Sequence, residues 1–143
     1  MNAEVEALVA EGVVVRIPVD LDEARRELAT ASTHLRGAEA AASVDPTGAF
    51  TLAYDAARKA LVAHMRANGL RVRPRFGAHV QTGRYGRAAL MNRGVDEHVT
   101  AFVDMRQVRN DTEYEAEIVA ASDAAEALVH AHAIVAAVER DLA

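Results

Sequence analysis

Leu21 through Ala42 read LDEARRELATASTHLRGAEAAA, and this stretch decides the fold class. Its apolar positions are Leu21, Ala24, Leu28, Ala31, Leu35, Ala38 and Ala42. Steps of three and four residues hold them on one face of a helix, because a turn takes ~3.6 residues. A half-buried strand would alternate at every second residue, and this stretch does not. Asp20 stands where an N-cap belongs, since its short carboxylate can accept from the amides of the first turn. The alanines of the seam allow a second helix to approach closely, so the stretch predicts one member of a packed helix pair.

The same spacing recurs downstream. Ser43 to Gly48 is a break in which Asp45 serves as cap and Pro46 takes the first helical position, where its missing amide costs nothing. The helix that follows carries Phe50, Ala53, Tyr54, Ala57, Leu61 and Met65 on one face and stops at Asn68-Gly69, a left-handed cap. A shorter helix is expected over Ala78 to Met91, weakened by Gly83 and Gly86 and closed by Asn92-Arg93-Gly94. Another runs from Asp96 through Arg106 towards Tyr114. The last carries Leu128, Ala131, Val135, Val138 and Leu142, with Asp123 and Glu126 resembling a capping box. Val13 to Val19 is β-branched and reads as a short extended segment with nothing to pair with; Leu70 to Phe76 reads as a basic loop holding Pro74. The sum predicts an all-α fold. Residues 20–143 form an up-and-down helical bundle of four to five helices, preceded by an N-terminal extension, residues 1–19.

Composition bounds what such a bundle can do. At 143 residues the chain reads as one domain with a real core. It has no run of about 18 apolar residues, so no membrane-spanning helix is expected. Its first residues, Met1 to Glu6, are acidic where an export signal would be basic. With no cysteine there is no disulfide framework and no thiolate metal site, and a cytoplasmic location is expected. A formal charge of -5 argues against a general nucleic-acid coat. The arginines are uneven, however: Arg66, Arg71, Arg73, Arg75, Arg84, Arg87 and Arg93 crowd the middle, which leaves room for a local basic cleft.

Motifs for chemistry are sparse. The histidines, His34, His64, His79, His98, His130 and His132, form no HExxH; His130 and His132 point roughly 200° apart around a helix. They read as scattered, partly exposed side chains, and no metal or cofactor is expected. There is no GxSxG elbow, and Gly83 to Gly86 is too short for a phosphate-cradling loop. The basic stretch Arg71 to His79 places Phe76 among arginines, a composition that suits phosphate contact plus base stacking. Arg75 and His79 are therefore candidate ligand contacts, the alternative being a solvated interhelical loop.

The remaining anomaly is RQVRNDTEY, Arg106 to Tyr114. From Val95 the apolar positions step to Val99 and Phe102, and the next steps land on Arg106 and Arg109. Arginine on a buried face needs a partner: an internal carboxylate, a second subunit or a phosphate. If the helix continues, Arg106, Asn110 and Glu113 share a face, and Asn110 and Tyr114 stand four apart. Arg106 or Arg109 could then pair with Glu113, Asp104 or a dimer-mate's carboxylate, making a polar groove in an apolar interface.

Three segments, in order, resemble the HEPN superfamily of α-helical domains, with the SAV_6107-like HEPN group the nearest in character. They are Ala53 to Arg71 with its aromatic, small residues and Gly69 turn; Gly77-Ala78-His79, opening the next helix; and Arg109-Asn110 followed by Tyr114, with Ala124 to Val138 behind it. Together they span roughly residues 20–140. The resemblance implies a homodimer. Many members are metal-independent ribonucleases of toxin–antitoxin or defence systems. Their motif is an Arg, a polar residue and, four to six positions after the Arg, a His. The Arg would hold the scissile phosphate and the His would serve as acid and base for attack by the ribose 2′-OH.

On that pattern Arg109, Asn110 and Tyr114 occupy the catalytic positions, and Arg106, Glu113, His79 and Arg75 are the candidate ligand contacts. Tyr114 stands where the histidine belongs. A free tyrosine titrates near about 10 and is a poor base at neutral pH, unless His79 or His98 substitutes in space. The expectation is therefore a non-catalytic, homodimeric binding or regulatory module for an anionic ligand, RNA, nucleotide or operon-encoded partner protein, with no membrane role. The alternative is a metal-independent endoribonuclease acting at the dimer interface.

Overall fold

Wherever the three-and-four spacing occurs, the computed structural model of the chain has a helix, and it adds one at the N-terminus. It describes residues 1–74 and 77–143, apart from the side chains of Glu113 and Tyr114. The elements are α1 (Ala3–Ala10), β1 (Val14–Arg16), α2 (Leu21–Ala41), α3 (Pro46–Ala67), β2 (Leu70–Val72), α4 (Ala78–Ala89), α5 (Asp96–Tyr114) and α6 (Ala121–Leu142). The class is all-α. Six helices stand among the described residues where four to five were expected, and α1 is one that the spacing did not announce.

Local chemistry accounts for the helix ends. The Asp20 carboxylate accepts from the Glu23 amide at 2.8 Å, and Asp45 accepts from the Gly48 amide at 2.9 Å with Pro46 at the first position. α3 stops at Asn68 because Gly69 turns the chain with φ +67; a Cβ there would lie 2.8 Å from the Ile17 carbonyl oxygen. α6 departs from expectation. It begins at Ala121 after Ala120, with no side-chain cap; Asp123 lies inside the first turn, where its charge meets the helix dipole.

α3 is the centre, packing on α2, α6, α5 and α4. Its Ala49, Ala53, Ala56, Ala57, Ala60 and Ala63 are fully buried, so small side chains let neighbours approach on more than one face. The expected seam of α2 is inward at Ala24, Ala31, Leu35 and Ala38, while Leu21 is half exposed at the helix entry. The larger core lies between α2, α3, α5 and α6. A second cluster joins Val5 and Leu8 of α1, Val14, Leu70, Tyr85 and Ala89 to Met65 near the end of α3. The N-terminal extension is thus packed against the bundle.

Two expectations about strands are corrected. Val13 to Val19 was expected to lack a partner, and Leu70 to Phe76 to be a loop. Instead β1 pairs antiparallel with β2, Val14 opposite Val72 and Arg16 opposite Leu70. The partners are far apart in sequence, with α2 and α3 between them, and the Gly69 turn leads α3 into β2. α5 carries a further adjustment. Its buried stripe runs Val95, Val99, Phe102 and then Met105, so Arg106 and Arg109 flank the buried face, half exposed, and do not occupy its middle.

Candidate functional site

Arg106 and Arg109 meet α3 at Tyr54. That ring is buried and stacks on Phe102 with centroids 5.3 Å apart and planes 9° from parallel. The Arg109 guanidinium carbon lies 5.8 Å from the Tyr54 centroid, within reach of a cation–π contact. Phe102 and Arg109 are two turns apart on α5, a rise of ~10.5 Å, which suits one ring held between their side chains.

The electrostatics around this ring are one-sided. Burial raises the Tyr54 phenol above its ordinary value, opposed by Arg106, Arg58 and Arg109 in that order and reinforced by Asp55. The phenol is therefore neutral near pH 7 and can donate a hydrogen bond. Arg58 lies 3.9 Å from Asp55, the carboxylate among the described residues that acts on Tyr54. His79, in the first turn of α4, is held below its ordinary value by burial first and by Arg106 second. It is neutral at pH 7. Its Nδ1 is buried and makes no hydrogen bond among the described residues. Three helices thus bring Arg58, Arg106, Arg109, Tyr54 and His79 to one region.

The other sequence candidates fall as follows. Asn110 is half-buried on α5 next to Arg109. Glu113 and Tyr114 belong to the last turn of α5, but their side chains lie outside the described residues, as does Arg75 altogether. Asp104 is exposed and forms no ion pair among the described residues. Of the two histidines considered as substitutes for the motif His, His98 faces His130 of α6 with their Nδ1 atoms 2.9 Å apart. His79 is the one under the influence of Arg106. Among the described residues no three His, Cys, Asp or Glu side chains converge as a metal site would require.

A second polar cluster escaped the sequence. His64 of α3, read there as one scattered histidine, is only 4% exposed. Its Nδ1 lies 2.7 Å from the Tyr85 hydroxyl and its Nε2 2.9 Å from Asp141 Oδ2. A carboxylate only accepts, so Nε2 carries the proton and Tyr85 donates to Nδ1. Arg93 donates from Nε to Asp141 Oδ1 at 2.9 Å and from Nη2 to Oδ2 at 3.3 Å. Asn68 Nδ2 donates to the His64 carbonyl at 2.8 Å.

Burial lowers His64 below its ordinary value although Asp141 pulls the other way, and burial raises Tyr85. Burial alone would raise Asp141 too. Hydrogen bonds from Arg93 and His64 overcome it and hold the carboxyl below its ordinary range. His64, Asn68, Arg93 and Asp141 border a polar cavity of about 500 Å³ that Asn2 and Arg25 also line, while Tyr85 lies behind them. Both carboxylate oxygens and both ring nitrogens are engaged within the protein, so the cluster is a closed relay that ties α3, α4, α6 and the α4–α5 turn. The one sequence signal for it was Tyr85, a large aromatic between the small residues Gly83 and Gly86 on a helix.

Against protein-family models, curated proteins and solved structures the chain finds no match.

Proposed function

We propose that this chain is an HEPN-like helical-bundle module that binds the phosphates of RNA through the Arg106 and Arg109 region, working as a homodimer and without chemistry of its own. The observation that carries the reading is the gathering of Arg58, Arg106 and Arg109 round the buried, neutral Tyr54 ring. Guanidiniums supply the fork that matches phosphate oxygens, and a half-buried setting shields their attraction less than open water would. The local charge also explains how a chain of net charge -5 could take an anion, at one site and not over its whole surface.

The test is binding of labelled single-stranded RNA in EDTA by the wild type and by Arg106→Ala and Arg109→Ala. Each substitution is expected to weaken binding and to lower the slope of log affinity against log salt by roughly one. Binding unaltered in both variants would sink the reading. Light scattering tests the dimer, and a stable monomer would remove that part.

One observation favours the endoribonuclease as a second reading. His79 is neutral, lies under the influence of Arg106, and has a buried Nδ1 with no partner among the described residues. It could take the proton of a 2′-OH that Tyr114 could not. Cleavage of RNA in EDTA by the wild type, lost in His79→Gln with folding intact, would select this reading over binding alone.

A further inference from the structure

A groove of about 670 Å³ lies where α1 and α5 both pack on α4. Its floor exists because of Gly83. A Cβ at that position would lie 2.3 Å from Val103 Cγ2, so α5 settles onto α4 where a side chain is missing. The groove runs along α4, on which Val80, Gly83 and Arg87 fall on one side at helical spacing, with Met91 just past the helix end. From Val80 to Arg87 is a rise of about 10.5 Å, or two turns. Val80 is 39% exposed, and Met91 and Val103 are half-buried, so apolar surface faces the opening.

The rims are acidic on both sides. Glu4 and Glu11 stand on the α1 side, Asp96 and Asp104 on the α5 side. Glu11 holds Arg84 at 3.0 Å, and Arg87 donates to Thr100 at 2.6 Å. Glu4, Asp96 and Asp104 are exposed and form no ion pair among the described residues. Four carboxylates thus face two guanidiniums, one of which is already neutralised.

We propose that this groove receives a basic amphipathic helix of a partner protein. Its apolar residues, three and four apart, seat on Val80, Met91 and Val103, and its lysines or arginines meet Glu4, Asp96 and Asp104. The charge excludes the other occupants. Phosphates of nucleic acid and anionic lipid headgroups are repelled by the same rims. A second copy seated groove to groove on a two-fold axis would set acidic rim against acidic rim. The groove shares no lining residue with the Arg106 and Arg109 region, so either assignment can fail without the other.

The probe is a fluorescein-labelled peptide of about 14 residues, roughly four helical turns, with leucines at helical spacing and lysines elsewhere. Its anisotropy is followed with the full chain. Saturable binding that weakens with salt is expected. The exposed Val80→Asp and the double charge reversal Asp96→Lys with Asp104→Lys should each weaken it about tenfold or more, while Arg109→Ala binds as the wild type does. Circular dichroism verifies that the variants are folded. The proposal is overturned if a leucine–glutamate or scrambled peptide binds equally well, or if charge reversal has no effect. Self-association of the protein that Val80→Asp abolishes would also overturn it, since the groove would then hold a second copy.

Discussion

Tyr85→Phe deletes one oxygen from a side chain that has no solvent exposure. The lost hydroxyl donates to His64 Nδ1 at 2.7 Å, and the ring that remains keeps its edge-on contact with His64. What replaces the donor decides the cost. Asn68 Nδ2 already lies 3.4 Å from the same nitrogen, but it is committed at 2.8 Å to the His64 carbonyl. At 4% exposure His64 has little access to water. An acceptor left without its donor in such a place costs about 1–3 kcal/mol. For a chain of this size, each kcal/mol lowers Tm by roughly 2–4 °C.

A double-mutant cycle sharpens the test. His64→Leu alone orphans the Tyr85 hydroxyl and takes from Asp141 Oδ2 the closer of its two donors, leaving Arg93 Nη2 at 3.3 Å, and it should cost more than Tyr85→Phe. With both replaced, the phenol orphan is gone, so the double variant should be more stable than the sum of the singles by about 1–2 kcal/mol. Urea denaturation followed by circular dichroism gives all four stabilities. A Tyr85→Phe variant within about 0.5 kcal/mol of wild type, or a cycle that is simply additive, would refute the claim that this relay is closed.

Acidification should act on the same relay. His64 is held below 6.5 in the folded chain, so the unfolded chain takes up that proton first; stability is full above pH 6.5 and falls as pH drops towards the folded value. Asp141 adds a second loss below 3.8, where the unfolded carboxyl protonates before the folded one; in Tm against pH, His64→Leu should remove the first of these limbs and shrink the second, because one of the hydrogen bonds that lowers Asp141 goes with it. Gly83→Ala should cost about 1–3 kcal/mol by pushing Val103 off α4, and adding Val103→Ala should restore much of it in urea titrations. Phe102→Ala should cost about 3–5 kcal/mol and free the Tyr54 ring, seen as a changed near-ultraviolet dichroism; an unchanged spectrum would contradict the stacked geometry.

The sequence made the helices legible because their signals are local. Asp45-Pro46 and Asn68-Gly69 act within one turn of themselves, and the seam of α3 needed no knowledge of what covers it. β1 was illegible as a paired strand for the opposite reason: three residues carry no period, and the partner strand lies beyond a whole helix hairpin. The Arg106 to Tyr114 anomaly was visible as charge running into an apolar stripe, yet the stripe itself passes to Met105. A three-residue step keeps the buried face where a four-residue step was assumed. The His64 relay was hidden most completely. Its members come from α3, α4, α6 and a turn, no two of them spaced as a motif, and burial turns an ordinary histidine into an organising group.

Two polar side chains among the described residues intrude from α3, Tyr54 and His64, and they differ in how they are satisfied. At His64 every nitrogen meets a protein partner, and Asp141 answers both His64 and Arg93. Such a network stabilises one arrangement of helices and offers a ligand little, because binding would have to break bonds already made. Near Tyr54 the balance is different. Arg58, Arg106 and Arg109 act on a phenol held neutral by burial, and the buried Nδ1 of His79 makes no hydrogen bond among the described residues. Buried polar atoms without partners are rare in folded proteins, so the described residues leave the His79 Nδ1, under the influence of Arg106, without a packing account. The histidine that stabilises the fold and the histidine that could serve it are thus told apart by their hydrogen bonds, since burial lowers both.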